Sequence, residues 1–385
     1  MDFRFTAAQI ELREQARAFV ESRIAPIADE LDAAYHYHAE GVNRIKASGF
    51  YAYVVPKEYG GRGISSINIC ILREEFAKIS TFADEVLVMQ GLGSNPIVRF
   101  GNEAQKRKYL PPLIDGTRMA NFCLTEPYAG SDVAGIQATA RRERGGYVLN
   151  GRKVFVSKPA YTDVSVVFAK TAPEAGAKGI SAFIVDREQS SYEVKEDRLI
   201  FEGNIGEIIL RDTFVPAENL LGEEGQGMKI ALGNLDIYRP TVGAAALGMG
   251  WRGLKLAIER SRSRQLFGQA LKDFEVTQFK LADMKISLDA ASLLVYRAAW
   301  LADEGIKSTL EASAAKYFAT EAAWRVIDQS LQLHGGIGVH KQSRIEHLYR
   351  AIRPLRIYEG TSEIQLLVVG RELLRAEHLE HDERL

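Results

Sequence analysis

The stretch "GGYVLNGRKVFVS", residues 145–157, decides how the chain is organised. Its valines, tyrosine and phenylalanine are strand formers bounded by glycine and asparagine. Asn150-Gly151 offers the positive φ of a tight turn, so "LNGRK" reads as a hairpin. Three runs of the same kind follow: "DVSVVFAKT" (163–171), "GISAFIVD" (179–186) and "GEIILRDTFV" (206–215). Residues 120–228 are therefore expected to form a β domain.

Outward from it, in both directions, apolar residues recur at helical spacing. In "AAQIELREQARAFVESRI" (7–24), Ile10, Leu12, Ala16, Phe19, Val20 and Ile24 gather broadly on one face, and Pro26 should stop or kink that helix. "SINICILREEFAKIS" (66–80) and "EAQKRKYLPPLIDG" (103–116) also read as helices, the second ended by Pro111 and Pro112. The loop "PKEYGGRG" (56–63) is turn chemistry. This makes 1–119 an all-α domain. On the other side, "GAAALGMGWRGLKLAIERSRSR" (243–264) is rich in small residues that let helices approach closely, and amphipathic stretches cover 274–304 and 309–334. Residues 229–385 are thus expected to form a helical bundle, with "RAEHLEHDERL" as a solvated tail. An α, β, α order without strand–helix alternation argues against a doubly wound parallel sheet.

Composition narrows the function. The 385 residues, 46% hydrophobic and 26% charged, are ordinary for a chain that buries a large core. A formal net charge of −1 gives no reason to expect nucleic acid or an anionic membrane as partner. Cys70 and Cys123, the two cysteines, form no CxxC, which suits a reducing compartment. The start, "MDFRFTAAQIELREQARAFV", is unlike a signal peptide, and no run approaches the roughly 18 apolar residues of a membrane span, so a cytoplasmic location is expected. The glycine clusters "QGLGSNP" and "HGGIGVH" lack the spacing of a dinucleotide fingerprint, and P-loop, HExxH and GxSxG patterns are missing. His36 and His38 sit close together without the acids or cysteines of a metal site, and read as surface residues.

Four stretches carry a stronger signal: "FCLTEPYAGSDVAGIQATA" (122–140), "LNGRKVFVSKPAYTDV" (149–164), "RSRQLFGQALKDFEVTQFKLADM" (262–284) and "QLHGGIGVHKQSRIEHLYR" (332–350), running into "RIYEGTSEIQ" (356–365). With "PKEYGG" and "GNEAQKRKYLP" they resemble the acyl-CoA dehydrogenases over essentially the whole chain. The resemblance implies an α+β fold: an N-terminal helical domain, a β-barrel-like middle domain and a C-terminal helical bundle. It also implies an FAD-dependent oxidoreductase acting on CH–CH groups, a homotetramer (a dimer of dimers), with an electron-transfer flavoprotein or similar acceptor as partner.

The same resemblance assigns roles. Phe122, Leu124 and Thr125 would lie along the isoalloxazine of FAD, and Ser131 would reach both cofactor and thioester. Phe155 and Ser157 stand where the family generally has a tryptophan and a threonine; a phenyl ring still stacks and a serine still offers a hydroxyl. Lys158-Pro159 is a further departure, with the lysine expected to face solvent and the proline lacking a backbone donor. Arg264 and Phe267 would cross a dimer interface to another subunit's FAD, where a guanidinium suits pyrophosphate. Leu266 and Glu275 replace residues that are usually polar and neutral. Gln332, Gly335 and Gly336 would approach the adenosine part, although Gly335-Gly336 also reads as a plain helix C-cap. Thr361 and Glu363 complete the cofactor set.

Glu359 is the expected base. Taken alone, an acid before a helix is favoured by the helix dipole and needs no catalytic role. In the resemblance it removes the α-proton of the thioester while hydride passes from the β-carbon to flavin N5, giving trans-2-enoyl-CoA. The Glu359 backbone N–H and a ribityl hydroxyl would stabilise the enolate. Some members place the base on an "LD-x-x-R" segment; here that is "LDIYR" (235–239), and Tyr238 is a poor base. Asp236, Tyr238, Arg239, Gly360 and Arg371 would line the substrate channel. Three alternatives stay open: dehydrogenation of an acyl or aminoacyl group on a carrier protein, a flavin monooxygenase of the same fold, and a non-catalytic partner subunit.

Overall fold

A computed structural model describes residues 4–34, 37–201 and 203–375. His36 and the tail beyond Arg375 lie outside these residues. The first helices are α1 (Ala7–Phe19), α2 (Ala28–Asp32), α3 (Ala39–Lys46), α4 (Ser66–Ala77), α5 (Thr81–Phe100) and α6 (Glu103–Tyr109). Eight strands follow: β1 (Ala120–Cys123), β2 (Thr139–Glu143), β3 (Gly146–Ser157), β4 (Val164–Lys170), β5 (Ile180–Asp186), β6 (Glu193–Asp197), β7 (Ile205–Pro216) and β8 (Leu220–Leu221). Then come α7 (Gly227–Ser263), a short hairpin of β9 (Gln265–Leu266) and β10 (Gln269–Ala270), and α8 (Glu275–Asp303), α9 (Thr309–His334), α10 (Arg344–Ile352) and α11 (Ser362–Arg375). The α–β–α order is the one the periodicity predicts.

By contacts the chain divides into two compact units. The helical unit gathers residues up to 32, 66–84 and those from 236 onward. Thr6 starts α1 with a capping box, its hydroxyl accepting from Gln9 N at 3.3 Å while Gln9 Oε1 accepts from Thr6 N at 2.9 Å. Leu12, Ala16, Val20 and Ile24 are buried as expected, but Ile10 is 47% exposed, since two residues before Leu12 it lies on the opposite side of the helix. Pro26 lies in the 3₁₀ turn that ends this segment. The small residues of α7 do what their size allows. A Cβ on Gly243 would stand 2.7 Å from Val295 Cγ2, and one on Gly250 would stand 2.6 Å from Leu288 Cδ2. Close approach of α7 to α8 therefore depends on glycine at both positions. Cys70, Leu247, Leu288, Val295, Ala319 and Val326 lie in the resulting core.

The second unit holds 33–65 and 85–235. Its strands run β6-β7-β3-β2-β4-β5-β8, with β1 pairing parallel to β4. Cys123, Leu149, Val167, Phe183, Val185 and Ile208 pack in its core. Asn150-Gly151 is not a hairpin turn, because β3 runs straight through it, pairing with β2 on one side and β7 on the other. The register of β3 on β7 shifts there, and Asn150 exchanges hydrogen bonds with Asp212 across the bulge at 2.9 and 3.0 Å. The hairpin falls six residues earlier, at Arg144-Gly145, where Gly145 has φ +84°.

Candidate active site

Strand β1 and the second half of β3 bring the first two motifs together inside the β-containing unit. Val154 N donates to Thr125 O at 2.9 Å, and Asn121 Nδ2 donates to Ser157 O at 3.3 Å. A buried ion pair fixes the turn between them: Lys153 Nζ reaches Glu126 Oε1 at 2.6 Å and Leu124 O at 3.1 Å. The Glu126 carboxylate also accepts from Gln137 N at 2.5 Å and Ala138 N at 3.1 Å. A second register shift, between Lys153 and Val156, sets Phe155 at φ +56° and leaves its ring 62% exposed. Phe122 is half-buried with its edge on Phe168, and Leu124 is buried. The hydroxyls of Thr125, Ser131 and Ser157 bond to nothing among the described residues.

These groups fit a flavin ring: an outward phenyl for its face and free hydroxyls for its polar edge. Both side-chain polar atoms of Asn204 are also sealed without a partner beside Lys158, whose N donates to Asn204 O at 2.6 Å. Lys158 itself is buried, contrary to the expected solvent position. Its backbone at φ +53° turns the chain, and its carbonyl accepts from Tyr161 N and the Thr162 hydroxyl. In that turn Pro159 occupies a position where no donor is called for.

The helical unit carries the third and fourth motifs. Arg264 ends at the base of the β9–β10 hairpin, and Phe267-Gly268 forms its tip with φ +49° and +81°. Phe267 is 91% exposed, and Arg264 and Glu275 are exposed as well. Leu266 is half-buried. Gly335 caps α9 at φ +64°, so the plain reading of the glycine pair holds locally. A Cβ on either Gly335 or Gly336 would meet nothing within 4 Å, and Gln332 is exposed, so this helix end stands open to a ligand.

In the same unit Glu359 lies on the turn that leads into α11. Thr361 caps that helix, its hydroxyl accepting from Ile364 N at 3.3 Å, and Glu363 is exposed in the first turn. Glu359 and Gly360 both have positive φ, +53° and +94°. As a residue Glu359 is partly exposed, yet its Oε2 is sealed from solvent and has no hydrogen-bond partner. No backbone acceptor among the described residues takes its N–H. Burial pushes its carboxyl above the ordinary range; Arg73, Lys316 and Arg239 oppose this, and Asp84 adds to it.

Of the expected substrate residues, Arg239 is buried, with Nη1 on Asp236 at 2.6 Å and Nε sealed without a partner. Tyr238 is buried and its phenol pushed far up by burial and by Glu359, which removes it as a base. Arg371 is exposed. Five groups here escaped sequence reading. Arg73 holds Asp84 through two bonds at 2.9 and 2.7 Å and reaches the Thr241 hydroxyl at 3.1 Å. Lys316 and Gln365 bond to the backbone of the Glu359 turn. An Arg or Lys within a helical run carries no signal of burial. A cavity of about 310 Å³ in this unit, lined by Arg17, Trp251 and Arg344 among others, includes none of the expected site residues. Among the described residues no three His, Cys, Asp or Glu side chains cluster as metal ligands, and His38 caps α3. No helix among them is long and apolar enough to cross a membrane.

Comparison with known proteins identifies the family. The acyl-CoA dehydrogenase N-terminal, middle and C-terminal domain profiles match residues 6–117, 121–209 and 225–374. The chain is 41% identical to a 3-(aryl)acrylate reductase of Clostridium sporogenes (strain ATCC 15579), over 96% of this chain and 100% of that protein. It is 38% identical to an acyl-CoA dehydrogenase of Bacillus subtilis (strain 168), over 96% and 98%. The solved butyryl-CoA dehydrogenase of Megasphaera elsdenii superposes with a TM-score of 0.94 at 37% identity, covering 97% of this chain and 100% of that one. The chain belongs to the acyl-CoA dehydrogenase family and is an FAD-dependent oxidoreductase with that family's three-domain fold.

Proposed function

We propose that the protein dehydrogenates an acyl-CoA to its trans-2-enoyl-CoA, with Glu359 taking the α-proton. The observation that carries this reading is a carboxylate oxygen, Glu359 Oε2, sealed from water without a partner on a turn of unfavourable backbone conformation. A buried, unsatisfied acid at φ +53° costs stability and is the mark of a site arranged for a reacting group. Its raised pKa brings it nearer to that of the α-carbon it would deprotonate. Arg239 Nε, likewise sealed and unpartnered, offers a donor to a bound thioester or its carrier arm. The uncommitted Glu359 N–H would donate to the thioester carbonyl oxygen as negative charge develops on it. When bound, FAD supplies the acceptor for the hydride that leaves the β-carbon, and Phe155, Thr125, Ser131 and Ser157 are the residues that would hold its ring.

The direction of flux is open in chemical terms. The Clostridium sporogenes relative is named a reductase, and a protonated Glu359 would return the α-proton in that direction. A carrier-bound thioester presents the same reacting atoms. The deciding experiment is anaerobic bleaching of the flavin absorbance by a panel of saturated acyl-CoAs and aryl-propionyl thioesters, with Glu359→Gln alongside. Bleaching by one ester and inertness of the variant establish class and base; bleaching by none moves the substrate to a carrier protein.

The electron-transfer flavoprotein remains the proposed acceptor, and a tetramer the proposed assembly. Supporting self-association, α8 exposes Phe279, Ile286, Leu293 and Trp300, each seven residues apart and 41–69% accessible. That spacing makes a continuous apolar seam suited to another helix. Light scattering of the purified protein should give four chains; a monomer would remove the assembly.

A further inference from the structure

We propose that Lys316 and Gln365 form a clamp on the Glu359–Gly360 turn, and that Lys316 is the positioning residue for the base. The inference rests on the reading of Glu359 as base. Lys316, in the middle of α9, has none of its surface exposed. Its Nζ donates to Gly360 O at 2.7 Å, and no carboxylate among the described residues lies within ion-pair distance of it. From α11, Gln365 Nε2 donates to Glu359 O at 3.0 Å and to Gly360 O at 2.9 Å. The carbonyl of the reacting residue and that of the next are therefore held by two side chains from two helices.

The geometry requires such a clamp. A glutamate at positive φ is disfavoured relative to ordinary backbone, by about 1–2 kcal/mol. Left to itself the turn would relax and the carboxylate would swing. The far end of the turn is tied as well, since Arg356 Nε and the Ser362 hydroxyl both reach Glu321 Oε1, at 2.7 and 2.5 Å. Lys316 and Glu321 thus present α9 as a rigid rail under residues 356–362.

A neutral glutamine could satisfy one carbonyl without a buried charge. A lysine brings in addition a positive charge facing Glu359. Burial lowers its pKa to about 8, and Glu359 is the largest opposing influence, ahead of Glu321 and Glu363, while Arg239 adds to the lowering. Around Glu359 itself stand Arg73, Arg239 and Asp84, with the Tyr238 phenol also within electrostatic range. Removing Lys316 leaves that set one positive charge short, and the carboxylate pKa must rise.

The test uses the FAD-loaded enzyme and the acyl-CoA that bleaches it. Lys316→Met, of similar volume, should lower kcat about 100-fold with KM little changed, as misplacement of a reacting group does. The acid limb of its pH–rate profile should move up by about one pH unit. Lys316→Arg, which keeps charge and donor, should leave that limb in place. Gln365→Leu, which keeps the lysine, should lower kcat without moving the limb, and it serves should Lys316→Met fail to fold. A merely structural lysine would not shift the limb. Unaltered kcat and limb in Lys316→Met, with Glu359→Gln inactive, would overturn the clamp alone. An active Glu359→Gln would overturn the base and the clamp together.

Discussion

Two buried lysine–glutamate neighbourhoods, one in each compact unit, use the same side chains to opposite ends. In the β-containing unit Lys153 meets Glu126 directly at 2.6 Å, and the carboxylate collects two backbone N–H groups besides. Every strong acceptor there is used. In the helical unit Lys316 bypasses the carboxylate of Glu359 and donates to the next residue's carbonyl, leaving Oε2 unpartnered. Burial lowers the pKa of both lysines, yet only one pair is neutralised by contact. A satisfied pair fixes a turn; an unsatisfied one keeps an acid available to react.

This contrast is sharpest in Glu359→Gln. Its substrate-dependent bleaching should fall about 1,000-fold, the reach of general-base catalysis, while its thermal midpoint stays level or rises. A large drop in stability would mean that Glu359 is structural, as Glu126 is. Glu126→Ala should do the reverse at the level of folding. It strands the buried Lys153, at a cost of about 3–5 kcal/mol, read as loss of FAD content and a lower denaturation midpoint. Normal stability in that variant would put the two pairs in one class.

A smaller effect follows from pH. Lys316 has a folded pKa of about 8 against the ordinary lysine value of 10.5. Between these values the unfolded chain binds the extra proton, so stability rises with pH across that window, and below it the contribution of this group no longer depends on pH. The wild-type minus Lys316→Met difference should change by at most about 3 kcal/mol from pH 8 to 10.5, measured by denaturant titration. A flat difference would mean that the lysine titrates normally. Least of all, Gly360→Ala should cost about 1–2 kcal/mol in stability, from φ +94° and a Cβ 2.4 Å from Gln365 Nε2. Gly145→Ala, at φ +84° with nothing within 4 Å, should cost only the backbone part. Equal midpoints for the two variants would argue against a tight clamp.

Much of the molecule is legible along the chain. The α–β–α order, the helix that ends near Pro26, the long helices α8 and α9, and the glycines where α7 meets α8 all follow from periodicity and residue size, which are local properties. The sequence also singles out Phe155, Phe267 and Glu359 by their motifs, and the structure gives them a shared feature that sequence does not show, since all three sit at positive φ. Turn chemistry misled at Asn150-Gly151, because an Asn-Gly pair fits a bulge as well as a hairpin, and only the pairing of β3 with β7 selects between them. Lys158 misled for a related reason: a charged side chain is assigned to solvent unless a fold closes over it.

The sequence by itself therefore determined the class of fold and the family, and it singled out the acid proposed as base, because these rest on local patterns and on residue types in order. Only the tertiary structure decided which charges stand around that acid. Arg73 and Asp84, Arg239, Lys316 and Gln365 come from separate segments of the chain. Their effect on Glu359 depends on burial and on distances of a few ångströms, quantities that exist only once the helices have packed.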